Sequence, residues 1–223
     1  MNVLASPMVR SLLLSVFGLA WLVSTQGPDR AILLSPDHPE MKRLAPESCR
    51  ILLDTSRGAI TLEKQRVWSP HGVDRFYNLV RHGYYDDARF FRVRAGTWAQ
   101  FGISADPAIS TAWRTRTIPD EPRLLSNTRG TLAYAFKDPN GRTTQIFVNL
   151  VNNGPTHDAE PFVPFAKVTD GMAAADAIYS GYGEKSGGGI RGGKQDRLFA
   201  EGNAFLVREF PMLDYIRRAT VIP

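Results

Sequence analysis

The sequence predicts a mainly-β fold, and three stretches carry that reading. Phe90-Phe91-Arg92-Val93-Arg94-Ala95-Gly96-Thr97-Trp98-Ala99-Gln100-Phe101-Gly102 sets apolar or aromatic residues at nearly every second or third position. That spacing is a strand signal, and Ala95-Gly96 marks a bend between two short strands. Gly130-Thr131-Leu132-Ala133-Tyr134-Ala135-Phe136 is a run of small and apolar residues. The turn Lys137-Asp138-Pro139-Asn140-Gly141 separates it from Thr143-Thr144-Gln145-Ile146-Phe147-Val148-Asn149. Arg50 to Thr55 and the alternating Ala59 to Glu63 flank the turn Ser56-Arg57-Gly58, a hairpin with glycine where the turn needs it.

At 223 residues the chain suits one domain with a large core and an appended segment. Apolar content of 43% with 22% charged residues is ordinary for a soluble globular protein. The formal charge is +5, but no Lys/Arg block is long enough for a nucleic-acid-binding tail, so no nucleic-acid partner is expected. Cys49 is the single cysteine, which excludes an intrachain disulfide and leaves stability to the core. Residues 1–26 form a separate unit. Arg10 supplies a positive start, and Ser11 to Val23 is a charge-free apolar run shorter than the ~20 residues a membrane span needs. Export with cleavage near Ser24 to Gly27 is expected, to a periplasmic or secreted location. An uncleaved amino-terminal membrane anchor is the other reading. Residues 27–48, with four prolines and mixed charges, read as a linker or arm. The sequence leaves open whether Ile32-Leu33-Leu34 packs on the domain that occupies 49–223.

Within that domain Ser69 is placed to cap a helix with Pro70 at its first position. Val73, Phe76, Leu79 and Val80 line one face, Gly83 closes it, and His71 and His82 are expected in solvent near its ends. Such a helix is suited to covering the mouth of a barrel. Asp106 to Asn127 holds three prolines and little periodicity, and reads as a surface loop that Trp113 pins. Phe162 to Val168 is a strand, and Asp170 is placed to cap a short helix carrying Met172, Ala175, Ile178 and Tyr179. Gly181 to Gly193 holds seven glycines after a helix, the wrong order for a phosphate loop, and reads as a flexible insertion. A docked arm, a short helix over Phe210 to Ile216 and a closing strand over Ala219 to Ile222 complete the chain.

Arg92 is the unusual residue. A cation inside an apolar strand pair either snorkels to the solvated face or is held against an apolar floor for a ligand carbonyl, because a buried unpaired charge costs several kcal/mol. Four ordered motifs bear on the choice. Phe90, Arg92, Gly96 and Gln100 form a Phe-X-Arg-X-X-X-Gly-X-X-X-Gln pattern, and Gly130, Leu132 and Ala135 form a Gly-X-Leu-X-X-Ala strand. Gln145 and Phe147 form Gln-X-Phe, and Phe165, Lys167, Val168, Gly171 and Met172 follow in order. In these motifs the chain resembles the cyclophilin family of peptidyl-prolyl cis-trans isomerases over roughly Cys49 to Tyr179.

The resemblance implies a closed antiparallel β-barrel capped by two helices, with the glycine-rich stretch as a C-terminal insertion. It implies a monomer that rotates X-Pro bonds in proline-containing polypeptides without metal or cofactor, and here one that assists the folding of exported proteins. It assigns Arg92 as the catalytic donor. It places Gln100, Trp98, Ala135, Phe136, Gln145, Phe147 and Phe162 in substrate binding. A non-catalytic binding module for proline-containing segments is the alternative. The chain departs from the commonest pattern in four places. Thr97 and Trp98 replace Phe and Met, Phe136 replaces the Asn after Ala135, and Phe162 stands in place of the pocket histidine. Thr156-His157-Asp158 replaces the rim Trp-Leu-Asp. Weaker binding of the family's macrocyclic inhibitor is expected. His38, His71, His82 and His157 show no metal-ligand spacing, and no Gly-X-Ser-X-Gly elbow occurs.

Overall fold

The computed structural model describes residues 29–189 and 195–222. The expected export segment, residues 1–26, lies outside them, as does the end of the glycine-rich stretch.

The first described pieces are a helical turn, α1 (Arg30–Leu33), and a 3₁₀ turn at Pro39–Lys42. They dock on the body of the domain. Leu33, Met41 and Ala45 are buried, and Trp113 Nε1 donates to the Leu33 carbonyl at 2.8 Å. β1 (Ser48–Thr55) and β2 (Gly58–Gln65) form the expected hairpin, with Gly58 at φ 122° in the turn. Each buries alternate residues, Ile51 and Leu53 on one strand and Ile60 and Leu62 on the other.

α2 (Pro70–Arg81) buries Val73, Phe76, Leu79 and Val80, the predicted face. Its cap differs from expectation. The Ser69 hydroxyl makes no capping bond and instead donates to Glu121. Glu121 accepts from the His71 and Gly72 amides at 2.6 and 3.3 Å, so a remote carboxylate satisfies the helix N-terminus. His82, expected in solvent, has a side chain only 10% exposed behind Asp29, and burial lowers its pKa, with the Arg81 charge adding to the effect.

β3 (Arg92–Arg94) and β4 (Trp98–Phe101) pair across the predicted bend, where Gly96 adopts φ 61°. The supposed surface loop that follows contains a helix, α3 (Pro107–Trp113). Asp106 caps it by accepting from the Ala108 and Ile109 amides, and Pro107 sits at its first position. β5 (Thr131–Tyr134), β6 (Ile146–Asn149), the helical turn α4 (Gly154–His157) and β7 (Pro164–Asp170) come next. Asp170 is the last residue of β7 and not a cap. Gly171, at φ 88°, occupies the cap position of α5 (Met172–Asp176), where the chain passes too close to the Ala59 carbonyl to admit a side chain. α6 (Asp196–Glu201) and α7 (Asn203–Glu209) precede β8 (Ile216–Ile222). The short helix expected over Phe210 to Ile216 therefore lies earlier in the chain.

All eight strands join one antiparallel sheet in the order β3-β4-β6-β5-β7-β2-β1-β8. The sheet curls until the segments entering its two edge strands meet at one bridge, Arg89 to Tyr215. The Phe90 amide donates to the Asp214 carbonyl at 2.9 Å beside it. Among the described residues no ladder joins β3 to β8, so the fold is an open curled sheet where a closed barrel was expected. α2 covers its apolar interior. A second core, built on Phe91, Ile103, Leu198, Phe199, Leu206 and Leu213, fastens α6 and α7 to the outside.

Candidate active site

The strand register assembles the site. β3–β4 pairing sets Arg92 opposite Gln100, and β4–β6 pairing sets Gln100 opposite Phe147. β5–β6 pairing brings Ala133 opposite Phe147, and the Ala135 amide donates to the Gln145 carbonyl at 2.9 Å. Two small residues beside a large ring leave a hollow. Ala133, Ala135 and Phe147 form an apolar group separate from the main core, with Trp98 and Phe162 against it.

The result is a cavity of about 210 Å³ whose lining includes Arg92, Trp98, Gln100, Ala135, Phe136, Phe147 and Phe162. Its walls are aromatic. Phe162 lies 4.6 Å from Phe136 and 5.3 Å from Phe147, centroid to centroid, with the latter pair edge to face. Seven of the eight residues singled out in the sequence thus meet in one place. Gln145 lies behind the wall, where its Oε1 accepts from Gln100 Nε2 at 2.9 Å.

Arg92 is neither in open water nor unpaired. Its side chain is 20% exposed, and its Cζ lies 5.1 Å from the Trp98 ring centroid, a cation–π distance. Nη1 donates to Gln100 Oε1 at 3.1 Å, and Nε and Nη2 donate to Glu184 Oε1 at 3.1 and 2.5 Å. Gln145 extends the polar line to Gln195. Gln145 Nε2 donates to Gln195 Oε1 at 2.9 Å and Gln195 Nε2 returns to Gln145 Oε1 at 3.1 Å.

The outer wall is held by Asp158. It accepts from Ser126 Oγ at 2.6 Å and from the Asn127 amide and side chain at 2.9 Å each. Asn127 Nδ2 also donates to the Phe162 carbonyl at 2.9 Å. Burial raises the Asp158 pKa, but these hydrogen bonds outweigh it and hold the carboxyl below its ordinary 3.8. Among the described residues no His, Cys, Asp and Glu side chains are grouped to hold a metal ion. No described helix is long and apolar enough to cross a membrane.

An apolar hollow, a half-sheltered guanidinium at its edge and amide side chains beside it can grip a ring and donate to a peptide. The family model described as "Cyclophilin type peptidyl-prolyl cis-trans isomerase/CLD" matches residues 50–191. The chain belongs to the cyclophilin family. Peptidyl-prolyl cis-trans isomerase B of Escherichia coli is 32% identical over 136 residues, covering 57% of this chain and 82% of the relative. Peptidyl-prolyl cis-trans isomerase cyp18 of Streptomyces antibioticus is 32% identical over 134 residues, covering 56% and 80%. A cyclophilin type peptidyl-prolyl cis-trans isomerase from Cryptosporidium parvum superposes with a TM-score of 0.56 at 19% identity, covering 79% of this chain and 98% of its own. That likeness concerns the fold. The chain is accordingly an enzyme, a cyclophilin-type peptidyl-prolyl cis-trans isomerase.

Within this cyclophilin five contributors to the site were not among the residues to which the sequence reading gave a site role. His157 reaches the cavity, 5.5 Å from both Trp98 and Phe147 and 4.9 Å from Phe162. It is the only member of the rim triplet in the lining, for Asp158 braces the wall from behind. Glu160 and Gly189 also line the cavity. Glu184 and Gln195 come from beyond the motifs, and no spacing rule links them to Arg92.

Proposed function

We propose that this cyclophilin rotates X-Pro bonds in exposed polypeptide segments laid over the β3–β4–β6 face, with Arg92 as the catalytic donor. Rotation about such a bond faces ~18–20 kcal/mol, because resonance flattens it. The proline ring enters the hollow over Phe147, and Ala135 leaves space for the residue before it. Gln100 bonds the substrate backbone, and the aromatic walls exclude water, which disfavours the charge-separated planar amide. Arg92 then donates to the prolyl nitrogen as its lone pair localises. One charge-assisted hydrogen bond is worth ~1.5–3 kcal/mol, roughly ten- to a hundred-fold in rate. Desolvation and grip in the pocket supply the remainder. The guanidinium at the edge of an apolar cavity is the observation that carries this reading. A solved Cryptosporidium parvum relative in the presence of the dipeptide Ala-Pro supports proline-containing substrates.

Isomerisation assays on the purified protein test it. Arg92→Ala lowers kcat/KM at least about tenfold. Arg92→Lys is also impaired, since an ammonium lacks the planar fork. Arg94→Ala, on the exposed end of the same strand, keeps most activity. Wild-type rates in Arg92→Ala would sink the mechanism.

The clients we assign are exported proteins, and the enzyme acts on them as a monomer. Arg10 and the apolar run from Ser11 to Val23 support export. Amino-terminal sequencing from the native host is expected to begin between Ser24 and Pro28. A soluble cytosolic chain still starting at Met1 would reject it.

A further inference from the structure

The described part of the glycine-rich stretch, 181–189, read from the sequence as a flexible insertion, packs against Arg92. Ser186 is buried and its hydroxyl donates to the Phe91 carbonyl at 2.5 Å. The Val93 amide donates to the Gly183 carbonyl at 3.2 Å, and Gln195 Nε2 reaches the Gly188 carbonyl at 3.4 Å. These ties deliver two residues to the arginine. Glu184 takes the Nε and Nη2 donors. Gly189 lies over the guanidinium so closely that a Cβ there would come within 3.1 Å of Cζ and 3.3 Å of both terminal nitrogens.

An arginine has five N–H donors in a rigid fork. Glu184 engages Nε and Nη2, and Gln100 engages Nη1. One N–H on each terminal nitrogen is left, the pair that can meet a substrate carbonyl and a prolyl nitrogen together. We propose that Glu184 is a positioning residue for isomerisation, fixing the plane of the Arg92 guanidinium, with Gly189 as the side-chain-free cover that permits that plane. This role rests on the reading of Arg92 as the donor. Fixing the fork before substrate arrives spares reorganisation during the reaction. The Glu184 side chain is 57% exposed, so the pair adds little to global stability and its effect falls on catalysis.

The experiment compares wild type, Glu184→Gln, Glu184→Ala, Gly189→Ala, Arg92→Ala and the Glu184→Ala/Arg92→Ala double variant. Each full chain is assayed on one Ala-Pro tetrapeptide, with melting temperature and the Arg92 Nε–H NMR signal recorded alongside. Glu184→Ala is expected to lower kcat/KM about fivefold, the rate equivalent of one ion-pair coupling. Melting stays unchanged while the Nε–H signal shifts. Glu184→Gln, which keeps an acceptor oxygen, falls between. Gly189→Ala lowers activity with Glu184 intact, because its methyl displaces the guanidinium. In the Arg92→Ala background Glu184→Ala costs nothing further. Wild-type or higher activity in Glu184→Ala, or an equal loss in both backgrounds, would overturn the positioning role. If Glu184→Ala is silent while Arg92→Ala is impaired, only the positioning role fails. Full activity in Arg92→Ala removes the donor reading and this role with it.

Discussion

The Arg142 side chain, a guanidinium, has no exposed surface. It survives because Glu121 lies 3.0 Å from Nη2, the Pro119 carbonyl accepts a second bond and Ser69 Oγ lies at 3.5 Å. Glu121 is itself the cap of α2, so one carboxylate serves a buried cation and a helix end together. Removing one partner of a buried pair leaves the other charge uncompensated, which costs ~3–5 kcal/mol. Asp120 Oδ1 still lies 3.6 Å from Nε, so Glu121→Ala is expected to cost an amount towards the lower end of that range, read as a lower urea midpoint at an unchanged slope. A change under about 1 kcal/mol would mean that water reaches Arg142. The site residues divide in the same way between what sequence reveals and what it hides. Arg92, Gln100 and Phe147 stand in strands whose alternation is visible, and their meeting follows from register alone. Glu184 has no such signature, since its bond to Arg92 joins segments that only the folded chain brings together.

α4 and the chain leading from it to β7 form the outer wall of the cavity, and Asp158 ties this element to Ser126 and Asn127. The Asp158 pKa is depressed in the folded state, so its contribution is fully present above the unfolded value near 3.8 and is lost as pH falls through the lower folded value. The stability difference between wild type and Asp158→Asn should be constant from about pH 7 to about pH 5. It should shrink in thermal unfolding only as pH falls below about 3.8 and through the lower folded value, following the linkage slope. A pH-independent difference would show that the carboxylate charge is not what holds the wall. Long elements with one-sided burial were legible: β1, β2 and α2 keep their periods because a single face meets the core. α3 has only seven residues, too few to show a period, although Asp106-Pro107 carried its start signal. α6 and α7 were hidden because Leu198, Phe199, Phe205 and Leu206 turn towards a second core that the motifs do not include.

At the scale of the whole molecule, the same outer core bears on the glycine-rich stretch read from the sequence as a flexible insertion, whose described part is tied to Phe91 and Val93. Phe91 belongs to that core and Arg92, the next residue and first of β3, belongs to the cavity, so the C-terminal helices and the cavity meet at adjacent residues. The sheet was predicted as closed because the family resemblance carried that shape. Here β3 and β8 are edges, and the segments entering them meet around the bridge at Arg89 and Tyr215 with no ladder between the strands among the described residues. That topology has a consequence for how the protein comes into being. β1 lies between β2 and β8, with Arg50 opposite Ile222. A ribosome releases β1 early and β8 only after every other strand, so β1 must wait through most of translation with one edge unmatched. Pairings so distant in sequence are slow to form, and exposed strand edges invite association. The nascent chain also lacks Glu184 until the motif strands have all emerged. An isomerase built this way gains its ordered arginine late in its own synthesis, and during that interval it is itself a chain in need of shelter.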